Sequence, residues 1–214
     1  MRSFCVITLF LWFGLLQAQE SLWLDVDNTQ EIGLNITGSL SGFFNSGGQN
    51  LPSDPYLFTY KSVKVNRAFR LGIGGRLTNR TEFAGSFERN IGDQLLDLRL
   101  GKEWRQSFGR RFMLFYGLDL AFTYAHSSVE FTSFPDNIVV SSRELGAGGG
   151  PAMGILFHIS PRVSVSTESF LYAFYLRGRE EDPLDDPFNP AITTTESVRI
   201  EPVLPSSIYV IVKF

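Results

Sequence analysis

The sequence predicts an all-β fold: a closed up-and-down antiparallel transmembrane β-barrel of eight strands, with ten as the alternative. Three observations predict it. The first residues have the form of an export signal, and the last, Ser207-Ile208-Tyr209-Val210-Ile211-Val212-Lys213-Phe214, alternate apolar and polar before stopping on an aromatic. Between them the chain is 43% hydrophobic with 20 Phe, yet no stretch approaches the roughly 18 apolar residues of a helical span. Period-two alternation is the form in which a membrane span carries that much apolar side chain without a continuous run. A bilayer offers no water to an open sheet edge, so such strands must close on themselves. Phe214 then falls on the lipid face of the closing strand.

Residues 1–18 read as a signal peptide. Arg2 is the positive start, Val6 to Leu16 the apolar stretch, and Leu16-Gln17-Ala18 the cleavage site before Gln19. The apolar run of about a dozen residues is short of the ~20 that an anchor helix needs. Cys5, the single cysteine, lies inside it, so the mature chain is expected to carry no disulfide and no cysteine-held metal. Residues 19–30 are expected to be a periplasmic segment and 31–214 the barrel. Arg2 is the only charge in the signal, so the mature chain keeps 18 of 19 Lys+Arg against 22 Asp+Glu, a net −4. That balance gives nothing to attract nucleic acid.

Eight segments alternate. The first, about 31–44, sets Ile32, Leu34, Ile36 and Leu40 against Asn35, Thr37, Ser39 and Ser41. The second, about 56–65, begins with Tyr56, Phe58 and Tyr60 and shifts phase to Val63 and Val65, which suggests a bulge. The third, 68–78, opposes Phe69, Leu71, Ile73, Gly75 and Leu77 to Arg70, Gly72, Gly74 and Arg76. The fourth, 94–105, opposes Leu96, Leu98, Leu100 and Trp104 to Asp97, Arg99, Gly101, Glu103 and Arg105. The fifth, 111–127, aligns every second residue from Phe112 to Tyr124 against Asp119, Thr123 and small residues. The sixth, 139–158, opposes Leu145, Ala147, Met153, Ile155 and Phe157 to Glu144, Gly146, Gly148, Gly150 and His158. The seventh, 162–177, is apolar on both faces from Phe170 to Leu176. The eighth, about 193–214, contains Pro202 and Pro205, which predict a kink or break.

Residues 64–67, 107–110 and 160–162 are short turns, whereas 45–55, 78–93, 127–138 and 178–192 are long and polar. Long and short alternate throughout, as in a barrel with both termini in the periplasm. Residues 78–93 also alternate, Phe83, Gly85 and Phe87 against Glu82, Ala84, Ser86 and Glu88, and an extra hairpin there gives the ten-strand alternative.

A soluble barrel would turn its apolar side chains inward. Small and charged residues dominate the other face: Arg70, Asp97, Arg99, Glu103, Asp119, Glu144, Glu168, Arg199 and Glu201. Both signs are present, as a paired interior requires. Tyr56, Phe58, Trp104, Phe112, Tyr124 and Tyr175 cluster near strand ends like interfacial girdles. An eight-stranded interior filled by these charges leaves no open channel. Gly72, Gly74, Gly146, Gly148, Gly149 and Gly150 are expected to make room for the long Arg and Glu side chains opposite.

The turn and strand from Phe108-Gly109-Arg110-Arg111-Phe112 to Gly117-Leu118-Asp119-Leu120, the run Arg70-Leu71-Gly72-Ile73-Gly74 and the final Phe214 resemble a small bacterial outer-membrane β-barrel, more specifically the outer membrane protein beta-barrel domain family. The resemblance covers most of the mature chain through loose patterns of glycine, aromatic and charge. It implies outer-membrane lipid and lipopolysaccharide as surroundings, and insertion by the barrel assembly machinery, which reads the strand ending at Phe214. It implies no particular ligand. Pro202 and Pro205 depart from an uninterrupted closing strand.

Candidate chemistry is sparse, and no catalytic, cofactor-binding or metal residue is assigned. His126 and Ser128 lie two apart on one strand face, where a His-activated hydroxyl would attack a lipid ester. The pair is similar to that of lipid A deacylase barrels, but Val129 stands where their motif has Asn. Glu130 or Glu144 would have to orient His126; the plainer reading is a polar strand end. The loop Glu180-Glu181-Asp182-Pro183-Leu184-Asp185-Asp186-Pro187 offers oxygen ligands without calcium-loop spacing, and a solvated loop is the simpler account. His158 has no second ligand nearby in sequence and reads as a strand-end residue. The glycine runs precede no helix, which excludes a phosphate loop. The expectation is a non-enzymatic outer-membrane barrel with a structural or surface-interaction role. The alternatives are a narrow small-solute pore or carrier, a lipid-modifying esterase using His126 and Ser128, and a soluble barrel with an apolar ligand.

Overall fold

The computed structural model describes residues 29–37, 55–84, 87–132, 137–182, 191–205 and 207–214. The expected signal peptide, the predicted outward Leu40 and most of the first long loop lie outside them. Nine strands follow in order: β1 (Thr29–Asn35), β2 (Phe58–Lys64), β3 (Arg67–Ala84), β4 (Phe87–Phe108), β5 (Phe112–Thr132), β6 (Asn137–His158), β7 (Val163–Asp182), β8 (Ala191–Val203) and β9 (Tyr209–Lys213). All pairings are antiparallel, and β1 closes on β9 while β7 pairs with both β6 and β9. The result is a ring of eight, in which β8 and β9 are two pieces of one strand along β7.

The predicted break at the prolines is present and can be measured in register. Val203 faces Phe170 and Tyr209 faces Ser166, so residues 204–208 span what residues 167–169 span opposite. The strand carries two extra residues there. An even insertion preserves which face each side chain meets, and both Val203 and Tyr209 are buried. The break is stitched to β1: Thr37 Oγ1 accepts the Ile208 N–H at 2.7 Å, and Ile36 N–H donates to Ile208 O at 2.9 Å.

Three expectations need correction. First, β2 has no bulge: its registers with β1 and β3 are continuous, and Thr59, Lys61 and Val63 all point inward. The apparent phase shift arises because Val63 is an inward apolar residue and Val65 sits in the turn at φ 50°. Second, residues 78–93 add no strand, because they extend β3 and β4 to within two residues of each other. Third, most of 127–138 and the start of 178–192 are likewise strand. Polar residues there mark strand leaving the apolar band, since period two continues with polar side chains on both faces.

Outside, the wall is apolar. Phe69, Leu71, Ile73, Leu96, Leu100, Leu114, Tyr116, Leu118, Leu120, Phe122, Met153 and Ile155 all face outward, with Leu118 and Leu120 about 60% exposed (59% and 61%). The apolar row from Phe112 to Phe122 rises about 34 Å along the strand, or about 26 Å along the axis at the tilt of about 40° usual for closed barrels. On β7 the twofold apolar ambiguity resolves cleanly: Phe170, Tyr172, Phe174 and Leu176 point in, while Leu171 and Tyr175 point out.

Candidate functional site

The chemistry of the molecule is concentrated inside the ring. Four carboxylates, Glu31, Glu103, Asp119 and Glu168, meet four cations, Lys61, Arg70, Arg99 and Arg105, all almost wholly enclosed. Arg105 forks onto Glu31 at 2.9 and 2.8 Å and donates through Nε to Glu103 at 2.6 Å. Lys61 donates to Glu103 at 2.8 Å while its ammonium lies 4.3 Å from the centre of the Phe115 ring. Arg70 spans the middle: Nε donates to Asp119 at 2.7 Å, a second bond reaches the same carboxylate, and Nη1 donates to Glu168 at 3.1 Å. Arg99 also donates to Glu168, and the Tyr172 hydroxyl donates to Asp119. These eight charges sum to zero, and Arg70, 3.8 Å from Glu103, joins their two halves, while Lys213 borders the cluster 3.8 Å from Glu31. Charge pairing of this kind is the condition under which buried ions are tolerated.

Strand alternation puts these residues in reach, and small residues clear the space. A Cβ on Gly72 would lie 2.5 Å from Arg99 Nε. A Cβ on Gly101 would overlap the Asp119 carboxylate. The glycines of β6 do something other than expected: Gly146, Gly148 and Gly150 abut Leu176, Phe174 and Tyr172 of β7 rather than long ionic side chains.

Above the network lies an aromatic layer. Phe170 stacks on Tyr172 at 4.2 Å between centroids, Tyr172 meets Phe174 edge-on at 6.0 Å, and Tyr56 packs 6.2 Å from Phe170. The Arg99 guanidinium sits 4.2 Å over the Tyr56 ring, joining the two layers. Ala121, Ala152, Leu176 and Val203 complete the cluster. Tyr56, expected in an outer girdle, is therefore an interior residue. Its carbonyl accepts from the Tyr209 hydroxyl at 2.8 Å and from Asn35 Nδ2 at 3.3 Å.

Of the nine charges predicted to face inward, Asp97, Glu144, Arg199 and Glu201 lie outside this network. The last three form a partly exposed group in which Arg199 is 3.7 Å from Glu144 and 3.6 Å from Glu201. Among the described residues β8 pairs only with β7, and its residues 191–200 are exposed on both faces. Asp97 is buried near Arg76, Arg199 and Glu201, and its Oδ2 has no hydrogen-bond partner among the described residues.

Sequence reasoning missed Glu31, Lys61, Tyr172 and His158. Lys61 and Glu31 carried a usable signal, since each alternates with apolar residues, and an alternating ion beside an outward apolar row points in. His158 is buried rather than a plain strand end. Its Nδ1 lies 2.8 Å from Ser164 Oγ and 3.1 Å from Lys213 Nζ; beside an ammonium it acts as acceptor.

His126 and Ser128 are half-exposed at the end of the barrel away from the short turns. The His126 ring contacts the Ser142 carbonyl at 3.1 Å, and no hydrogen bond joins it to Ser128 among the described residues. Ser127, the neighbour, donates to Asp93 at 2.7 Å. Glu144 lines the same cavity as His126 and lies 3.7 Å from Arg199, with no hydrogen bond to His126 among the described residues. In the acidic segment, Glu181 pairs with Arg179 at 2.9 Å, while residues 183–190 lie outside the described set. No group of three His, Cys, Asp or Glu residues is arranged for a metal among the described residues.

No protein-family model matches the chain, and no curated protein matches it. Among solved structures it is similar to a major outer membrane protein from Thermus thermophilus, with a TM-score of 0.44 and 11% identity over 87% of this chain and 98% of that one.

Proposed function

We propose that the chain is a non-conducting outer-membrane β-barrel with a structural or surface-interaction role. The observation that carries this is the inversion of the barrel: a continuous apolar exterior around an interior of paired charges. In water such a wall would leave a very large apolar patch exposed, whereas in a bilayer it is matched to its surroundings and the closed ring pairs the backbone of its wall. The stacked ionic and aromatic layers fill the bore and speak against the pore alternative. What remains for function is the far end, where β3 to β8 continue past the apolar band and carry most of the polar side chains. Both termini then lie in the periplasm, and the barrel assembly machinery would receive the closing strand.

Membrane fractionation with heat-modifiable gel mobility tests this reading. The protein should stay in the washed outer-membrane pellet and run faster unheated than boiled. Recovery in the soluble fraction without detergent would overturn it.

A further inference from the structure

The short-turn end of the barrel carries an exterior groove of about 320 Å³ lined by Ser62, Lys64, Arg67, Ala68, Phe69 and Lys102. Register explains how it forms. Ser62, Phe69 and Lys102 lie in one cross-strand row, and Lys64, Arg67 and Trp104 in the next. Neighbouring strands are about 5 Å apart, so the three cationic residues sit within a patch on the order of 10 Å across, their carbon stems lining the groove. None of the three has a carboxylate partner among the described residues, and all are exposed or half-exposed. Lys102 lies 5.5 Å over the Trp104 ring, which stacks on Tyr116.

Among the described residues the side-chain charges flanking the groove are cationic. Arg110 and Arg111 are exposed on the adjacent turn between β4 and β5, while the nearby carboxylates Glu31 and Glu103 point inward and are engaged there. Below the outer ring of cations the apolar wall begins at once with Phe69, Leu71 and Leu100. A partner that fits is therefore anionic at one end and apolar at the other, with the two ends aligned along the barrel axis.

We propose that this groove binds the headgroup of an anionic phospholipid in the leaflet at the short-turn end, its phosphate between Lys64, Arg67 and Lys102 and its acyl chains along Phe69 and Leu71. The proposal rests on the membrane reading above and deepens it. Phosphate oxygens accept from all three cations, and Trp104 supplies the amphipathic ring that settles at headgroup level. A zwitterionic headgroup brings its own cation and competes with the lysines for the phosphate.

Trp104 makes the test direct. The full-length chain with Trp12→Phe and Trp23→Phe is refolded into vesicles that mix phosphatidylglycerol and phosphatidylcholine. Either one lipid or the other carries brominated acyl chains, at equal mole fraction. Trp104 should be quenched more by the brominated phosphatidylglycerol, with a local enrichment on the order of fivefold, the scale of one basic side chain near an anionic surface. Enrichment should fall to none in Lys64→Gln/Arg67→Gln/Lys102→Gln and should shrink in Lys102→Gln alone. Equal quenching by both lipids in the unsubstituted groove, or enrichment unchanged by the triple substitution, overturns the proposal while leaving the membrane reading intact. Failure of the barrel to enter either vesicle overturns both.

Discussion

At the scale of single residues, the interior divides into side chains whose loss strands a charge and side chains whose loss does not. Asp119 accepts from Arg70 twice and from Tyr172. Asp119→Ala should therefore destabilise the folded barrel by about 3–5 kcal/mol, the usual cost of leaving a buried ion uncompensated, read as a shift in the urea midpoint of vesicle-inserted protein. Glu144→Gln removes an ion pair at 3.7 Å on a partly exposed surface and should change stability by less than about 1 kcal/mol. Equal effects of the two would contradict the division. Gly72→Ala should cost on the order of 1–3 kcal/mol by crowding Arg99, since its Cβ would meet Nε at 2.5 Å. The charges of β3, β4 and β5 were legible in the sequence because they alternate with long apolar rows. The interior aromatics were not, because Tyr56 sits just before its strand and Phe170 to Leu176 is apolar on both faces.

At the scale of elements, β8 and β9 behave as one strand with a two-residue insertion. Deleting Leu204 alone would shift β9 by one residue relative to β8, turning Tyr209 and Ile211 outward and Val210 and Val212 inward. Deleting Leu204 and Pro205 together keeps the parity. The single deletion should abolish heat-modifiable mobility, and the double deletion should retain it. Similar behaviour of both would show that the insertion does not set the face. The existence of the break was readable from Pro202 and Pro205, since proline cannot donate to a ladder; its size was not, because it depends on the pairing with β7. Strand lengths were underestimated for a related reason. β4 continues through Glu88, Asn90 and Asp93 with polar residues on both faces, and composition reads such a stretch as loop although the ladder with β3 and β5 is unbroken.

At the scale of the whole molecule, two stacked layers fill the bore and the exterior carries the apolar surface. The purified barrel in planar bilayers should show no discrete conductance steps; steady single-channel openings of the unsubstituted protein would mean the layers do not block the bore. The assignment of inside and outside is the claim on which the rest depends, and it can be read residue by residue along β5. With Cys5→Ser removing the single native thiol, a spin label is placed in turn at Leu118, Leu120, Phe122, Ala121 and Thr123 of vesicle-inserted protein, and collisions with oxygen and with a water-soluble nickel chelate are measured by electron paramagnetic resonance. Labels at Leu118, Leu120 and Phe122 should collide freely with oxygen and not with nickel, while Ala121 and Thr123 should be shielded from both. Oxygen access at Ala121 and Thr123 with Leu118, Leu120 and Phe122 shielded would contradict the account.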